Sequence, residues 1–546
     1  MPTCTINGMT CSFEGRPNIL QVALDNGIEI PHYCYHEGLS VVASCRICLA
    51  EVAAPNPRNE GKLELIPKLV PTCQTPAADG QVIRIDTPKA VANQRAVMEY
   101  LLINHPLDCP VCDQAGECQL QDYSYKYGSG ASRFEETKIK QPKKDLGPHV
   151  LLYSDRCIMC SRCVRFTREV SGTNEIGIFG RGSEEQIDIF PGRPLDNELS
   201  ANVIDICPVG AFLDKDFLMS MRVWNLTRTN SIDGITSGGD NLSVQTNDGK
   251  VYRIKPRTNM DVNKWWTSDE IRYGWKFVHD DNRFRSPLKQ AANNAGLEEC
   301  DWNAAYAEIT TNLRAAIEQH GDNSIALMVS PMLPSEEAYL LGKLVTSIAP
   351  NATLAVGPIP VQGEDKTFPG GYTVYAEKCP NARGVRRALE QITDNVLTYE
   401  QLLETAKADH THALILTGNY PSDWTTPELL DAAAGKYTVL IDTLPTPLTD
   451  KADVLLPGAT WLEKAGTFEN VKNRIQSFDA AIPVIELAKA EADIALDLFK
   501  AFGLTPTRTL YDPAALRIEM GDAFATDVHH PTKSDAPVSD IEYVEL

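Results

Sequence analysis

Apolar and polar residues alternate at the start of the chain. In TCTINGMTCSF two alternating runs flank Asn7-Gly8, a pair suited to the left-handed backbone of a two-residue hairpin turn. The pattern predicts a small β-rich unit over the first 80 residues, with Cys4 facing Cys11 across the hairpin. Residues 88–104 space their apolar groups as a helix does. Val91, the stem of Arg95, Met98 and Leu102 fall near one face. The polar, Lys-rich stretch 124–148 reads as a connector. From residue 231, SIDGITSGGDNLSVQTNDGKVYRIKP alternates between Gly and Asn punctuation and predicts short antiparallel strands. GIFGRGS (177–183) carries three glycines, but its flanks read as strand and turn rather than as the strand–turn–helix of a nucleotide loop.

The pattern changes after residue 302. Trp302, Tyr306, Ile309, Leu313 and Ile317 make a helical stripe, SIALMVS (324–330) a strand, and SEEAYLLGKLVTSIA (335–349) a helix. ALILTG (413–418) and YTVLID (437–442) are short apolar runs closed by turn residues. Strands alternating with helices predict a parallel α/β sheet. The Pro/Gly-rich piece 357–372 predicts a long loop, and the last 25 residues an exposed tail.

With 546 residues the chain exceeds what one core serves, and roughly three to five units are expected. Its 51 basic and 73 acidic residues give a net charge of -22, which argues against nucleic acid as a partner. No apolar run approaches the ~18 residues of a membrane span. The N-terminus, MPTCTINGMTCSFEG, has no basic start followed by an apolar core. A cytosolic protein is expected, reaching a membrane only through partners.

Cysteine usage sharpens the picture. Of 15 cysteines, all but Cys300 and Cys379 lie between Cys4 and Cys207. Clustered thiols in a reducing compartment point to metal or redox chemistry rather than to a disulfide scaffold. On that ground Cys4 and Cys11 read as two small buried side chains in preference to a disulfide.

Twelve residues fall into three sets of four. Cys34, Cys45, Cys48 and Cys73 have the spacing C-x10-C-x2-C-x24-C. One thiol, a close pair and a distant fourth resemble a loop wrapping a two-iron cluster, with zinc or plain core cysteines as alternatives. His105, Cys109, Cys112 and Cys118 have the spacing H-x3-C-x2-C-x5-C. Three thiolates leave one corner of a four-iron cube for a fourth ligand. An imidazole can fill it, and spacing alone leaves open whether His105 ligates, caps the preceding helix or sits on the surface. Cys157, Cys160 and Cys163, as C-x2-C-x2-C, are a strong four-iron signal completed by Cys207 of IDICPVGA. Thr167, Asn197, Ser200 and Val203 stand where a two-cluster ferredoxin would place ligands for its second cluster. Arg46, Arg156, Arg162 and Arg165 lie beside these ligands, either offsetting cluster charge or forming surface ion pairs.

HPLDCPVCDQAGECQLQD, DRCIMCSRCVRFTREVSGTNEIGIFGRGS and NVIDICPVGA resemble the most distinctive stretches of one family, the large peripheral iron–sulfur subunits of respiratory complex I, NADH:quinone oxidoreductase. KADVLLPGATWLEKAGTFENVKNRIQSF (451–478) resembles the molybdopterin-oxidoreductase fold that this family retains. The resemblance implies one 2Fe-2S and two 4Fe-4S clusters in the order above, with His105 as a ligand. It implies a multidomain α+β and α/β chain. A 2Fe-2S ferredoxin-like β-grasp domain (1–80) comes first. A 4Fe-4S segment with one histidine and three cysteine ligands (81–122) follows, and then a 4Fe-4S ferredoxin-like domain with one cluster (123–220). A small β-rich domain comes next (221–285), resembling the cluster domain of molybdenum enzymes but without ligands, since no cysteine lies between Cys207 and Cys300. The α/β molybdopterin-oxidoreductase-like scaffold (286–520), expected to hold no molybdopterin, and a tail (521–546) complete the chain.

The function implied is an electron relay without a catalytic site of its own. It would pass single electrons from the flavin of a partner NADH-binding subunit, through the clusters, towards quinone. The partners implied are that flavin subunit, a small 2Fe-2S subunit and connecting iron–sulfur subunits. The place implied is the cytoplasmic face of the inner membrane, or the matrix side in a eukaryote. The competing readings are an NAD-linked formate dehydrogenase-type molybdenum enzyme, the diaphorase arm of a bidirectional hydrogenase, and a zinc-stapled interaction protein.

Overall fold

The structure, a computed structural model, describes residues 1–291, 296–408, 410–521 and 524. The predicted C-terminal tail lies almost wholly outside the described residues. Two compact units divide the chain. Residues 1–226 with 368–371 form the first, and the described residues of 227–367 and from 372 onward the second.

The first unit opens with the predicted hairpin. β1 (Thr3–Ile6) and β2 (Met9–Ser12) pair antiparallel with Cys4 opposite Cys11. The turn is made by Asn7 and Gly8, both at positive φ (47° and 87°), which is why this dipeptide stands there. Both cysteines are buried free thiols. α1 (Ile19–Asp25) begins at Asn18, whose side chain accepts from Gln21 N. It buries Ile19, Leu20 and Val22 on the sheet. β3 (Leu49–Asn56), β4 (Lys62–Leu65), β5 (Val70–Pro71) and β6 (Val82–Arg84) complete the sheet. Its order is β2-β1-β6-β3-β4, with β5 on β3. β6 runs parallel to β1 and fills the middle, so this sheet extends beyond residue 80.

α2 (Pro88–Leu102) starts at Thr87 with Pro88 in its first turn. Its buried face is Ala90, Gln94 and Met98; of the predicted stripe Val91, Arg95, Met98 and Leu102, only Met98 is fully buried. Arg95 is exposed. Gln94 can be buried because its amide donates to Ile85 O. α3 (Gln119–Tyr127) runs into the predicted connector, which also holds β7 (Lys143–Asp145). The connector is therefore only partly irregular.

β8 (Val150–Tyr153) leads to the third thiol set and α4 (Arg162–Glu169). β9 (Ile176–Phe179) and β10 (Gln186–Ile189) form a hairpin around the three glycines. α5 (Asn202–Ile206) brings in Cys207, and β11 (Phe212–Asp214) returns to β8.

In the second unit β12 (Thr227–Ile232), β13 (Asn241–Asn247) and β14 (Lys250–Pro256) are the predicted antiparallel strands. An eight-stranded sheet follows. Its inner strands, Ile325–Val329, Thr353–Val356, Ala413–Thr417, Tyr437–Asp442 and Val454–Pro457, pair parallel. The helices Trp302–His320 and Ser335–Ile348 occupy the predicted stretches. Of the predicted loop 357–372, residues 368–371 belong with the first unit, where Gly370 N donates to Val170 O.

Candidate metal centres

The first thiol set wraps the end of the ferredoxin-like sheet. Cys48 immediately precedes β3 and Cys73 follows β5, so two ligand positions are fixed by strand pairing. Thr72 ties them, donating to Cys48 O through its hydroxyl at 3.0 Å. Ala43 (φ 50°) and Arg46 (φ 61°) adopt left-handed backbone, which coils the loop around Cys45. The Sγ atoms of Cys48 and Cys73 lie 3.6 Å apart. Hydrogen bonds from the Cys45 and Cys73 thiols pull Cys34 well below the ordinary thiol range, and those donors are pushed up in return. Cys48 is lowered to about 7, chiefly by its hydrogen bond with Cys73. All four are free thiols, and hydrogen bonds join Cys34 to Cys45 and Cys73, and Cys48 to Cys73.

In the second set, Cys118 stands at the start of α3, where the backbone N–H groups of Leu120 and Gln121 favour its thiolate. Burial outweighs them and raises it to about 12. Cys112 is buried and close enough to Cys109 and Cys118 to disfavour a second charge, while Cys109 is exposed. A Cβ on Gly210 would come within 2.3 Å of Cys112 Sγ. That residue position admits only glycine.

His105 follows the end of α2. The carbonyls of Leu102 and Ile103 accept from Lys138 Nζ at 2.7 and 2.8 Å, so Lys138 closes this helix end. The His105 imidazole is lowered to about 4 by burial, and then by Arg156 and Lys138. It is held neutral, with a lone pair free for a metal.

In the third set Met159 (φ 54°) and Ser161 (φ 58°) fold C-x2-C-x2-C into a tight left-handed loop that ends at the first turn of α4. Met159 N donates to Cys157 Sγ at 3.4 Å. Cys157, Cys160, Cys163 and Cys207 line one small pocket, walled by Ile158, Ile187, Val209 and Phe212. Burial and mutual repulsion raise all four thiols, Cys157 to about 12 and Cys207 to about 11. Buried thiolates in such number become tenable when a metal centre supplies positive charge. The thiol groups therefore fit iron–sulfur clusters, while the charges that bear on the His105 imidazole are those of Arg156, Lys138 and Asp108. Among the described residues, no three His, Cys, Asp or Glu side chains converge as a single-ion site requires. A cluster of several irons spreads its ligands over a wider shell than one ion does.

The three sets adjoin. Tyr33 is buried where both Cys45 of the first set and Cys118 of the second disfavour its ionisation, and its hydroxyl donates to Met98 Sδ at 3.2 Å. Cys207 of the third set bears on Cys118, and Cys160 on Cys34. Arg156, Arg162 and Arg165 are only 2%, 6% and 4% exposed, whereas Arg46 is exposed. Three of the four flanking arginines are thus interior groups, not surface ion pairs. Arg156 pairs with Asp108 at 2.7 Å and lies 4.0 Å over the Tyr153 ring. Sequence reasoning missed Tyr33, Asp108 and Gly210. Tyr33 and Asp108 directly precede Cys34 and Cys109, and Gly210 stands in CPVGA, so proximity to a candidate ligand was the signal available for each.

Five family models match the chain. They are a 2Fe-2S iron–sulfur cluster binding domain (1–88), the NADH-ubiquinone oxidoreductase-G iron–sulfur binding region (94–133) and the NADH-quinone oxidoreductase subunit 3 ferredoxin-like domain (147–213). An NDSU1/NuoG-like 4Fe-4S domain (226–276) and molybdopterin oxidoreductase (381–501) follow. The 226–276 segment contains no cysteine.

Among curated relatives, the NADH-ubiquinone oxidoreductase 75 kDa subunit of Reclinomonas americana is 37% identical over 63% of this chain and 47% of its own length. The mitochondrial NADH dehydrogenase [ubiquinone] iron-sulfur protein 1 of Solanum tuberosum is 42% identical over 55% of this chain and 39% of its own. The chain spans about half the length of the curated relatives it matches, or less. A solved NAD+-reducing [NiFe]-hydrogenase chain is 28% identical over 41% of this chain and 91% of its own, with a TM-score of 0.35.

Proposed function

We propose that this chain, a homologue of the 75 kDa iron–sulfur subunit of NADH-ubiquinone oxidoreductase, is an electron-relay subunit of such an oxidoreductase. Cys34, Cys45, Cys48 and Cys73 hold a 2Fe-2S cluster. His105, Cys109, Cys112 and Cys118 hold one 4Fe-4S cluster, and Cys157, Cys160, Cys163 and Cys207 the other. When bound, such clusters supply one-electron transfer without proton chemistry.

The remaining work falls to the chain's own residues. Strand pairing and left-handed loop residues fix the thiols, and apolar side chains wall the third set. His105 stays neutral, so its site carries one negative charge fewer than a four-thiolate site would. Electrons would enter from a flavin-bearing, NADH-oxidising partner and leave through further iron–sulfur subunits towards quinone. Contact with a membrane would come through those partners. Among the described residues no helix is long and apolar enough to cross one.

The observation that carries this reading is the contiguity of the three donor sets inside one compact unit. Stepwise reduction of anaerobically prepared protein, followed by low-temperature spin resonance, tests it. One two-iron and two four-iron signals, broadened by mutual spin coupling, are expected. Centres that behave as magnetically isolated, or molybdenum in stoichiometric amount with formate oxidation, would count against it.

A further inference from the structure

Two guanidinium groups span the gap between the first and third thiol sets. Arg165, on α4, donates through Nη2 to Cys34 O in the first set and, at 3.2 Å, to Cys160 O in the third. Its Nη1 donates to Ser40 O in the loop after Cys34. Arg162, one turn earlier, donates to Tyr35 O at 2.6 Å and to Ile206 O at 3.1 Å, the residues that follow Cys34 and precede Cys207. Both side chains are buried.

What they lack is as telling as what they touch. Arg156 is neutralised by Asp108. Arg162 and Arg165 bond only to carbonyl and hydroxyl oxygens, and among the described residues neither forms an ion pair with a carboxylate. Glu169, on the same helix, is bound to Ser40 N and Oγ. A buried cation without a counter-charge is costly. The neighbouring groups able to carry that counter-charge are the thiolates of the two sets, whose backbone carbonyls Arg165 already holds.

We propose that Arg162 and Arg165 form a shared cationic clamp that sets the reduction potentials of both the two-iron site at Cys34 and the four-iron site at Cys160. The proposal rests on the cluster assignment above. Reduction adds one negative charge to either site, and a fixed positive charge in a low-dielectric interior favours that state. Removing one guanidinium therefore lowers both potentials, while the second site, served by the compensated Arg156, stays where it was. The two arginines are positioning and tuning residues, since they touch ligand backbones and no substrate.

The test is a potentiometric titration of the whole chain, loaded with its clusters and read by spin resonance, for Arg162→Gln, Arg165→Gln and the matching lysine variants. Iron content and three signals in the unsubstituted protein come first. Their absence would overturn the cluster assignment itself, before any variant is measured. Given them, each glutamine variant is expected to shift the Cys34-site and Cys160-site signals to lower potential together, and the lysine variants to restore most of the shift. Unchanged potentials in a glutamine variant that keeps its clusters would overturn the clamp. So would lysine variants shifted as far as glutamine, because the effect would then lie in the fork geometry and not in the charge. If a glutamine variant loses its iron, retention of both clusters by lysine at that position supports the clamp and their loss overturns it. Arg84→Gln, at an exposed guanidinium on β6, is the control expected to move neither signal.

Discussion

At the scale of single residues, the structure separates neighbours that look alike in sequence. His105 is freed from closing α2 because Lys138 does so, and it is kept neutral by burial and two nearby cations. His105→Ala is expected to disturb only the second site. Iron content should fall and one four-iron signal should be altered or lost, with the other two signals intact. Spectra identical to the unsubstituted protein would show that the imidazole is no ligand. Gly210→Ala makes a sharper demand. The added methyl would meet Cys112 Sγ at 2.3 Å and Gln114 Cβ at 3.0 Å, well inside contact distance. Loss of the second-site signal with retention of the other two is expected, read on the same sample by spin resonance and iron analysis. The candidate ligand thiols were legible where their spacing is local, as in C-x2-C-x2-C, whereas Cys73 and Cys207 stand 25 and 44 positions from the thiols they join. The sequence left the arginines ambiguous. Arg165 reaches Cys34 across 131 positions, and no local pattern tells an interior guanidinium from a surface one.

At the scale of elements, periodicity predicted existence better than orientation. The hairpin at Asn7-Gly8 was legible because its turn needs left-handed backbone at both residues. The burial face of α2 was not, since a polar Gln94 with a carbonyl partner replaced the apolar position the pattern favoured.

In the second unit the helices Ser335–Ile348 and Glu491–Ala501 meet over a buried ion triad that no periodicity announces. Lys464 Nζ lies 2.8 Å from Glu337 and 2.5 Å from Glu491, all three buried. Lys464→Met strands two carboxylates and should cost about 3–5 kcal/mol, read as a lowered urea midpoint of the second unit's unfolding. Beside β13, burial raises the Asp233 carboxyl to about 7 and that of Asp240 to about 8. Both lie above the unfolded carboxylate value, so the folded state binds more protons between about pH 4 and 8. Stability contributed by these groups is lost as pH rises through that window. Asp240→Asn should flatten the fall in thermal midpoint between about pH 6 and 8. An unchanged slope would mean that Asp240 is already ionised in the fold.

At the scale of the whole molecule, the chain is two units with different chemistry. The first holds all twelve candidate ligands, residues 34 to 207, within one compact unit, with thiols of the three sets close enough to bear on one another. The second is built on a mostly parallel sheet and carries segments matching a 4Fe-4S domain and a molybdopterin oxidoreductase. The first of those segments has no cysteine to ligate a cluster. Strand–helix alternation made this sheet legible from the sequence. That residues 368–371 belong with the first unit was not, because only tertiary contacts assign them. The account stands on the claim that the first unit holds three iron–sulfur centres. Metal analysis of the intact, anaerobically assembled chain tests that most directly. About ten irons per chain, matching one two-iron and two four-iron clusters, with neither zinc nor molybdenum in stoichiometric amount, is the predicted result. An iron-free protein carrying zinc in its place would contradict it.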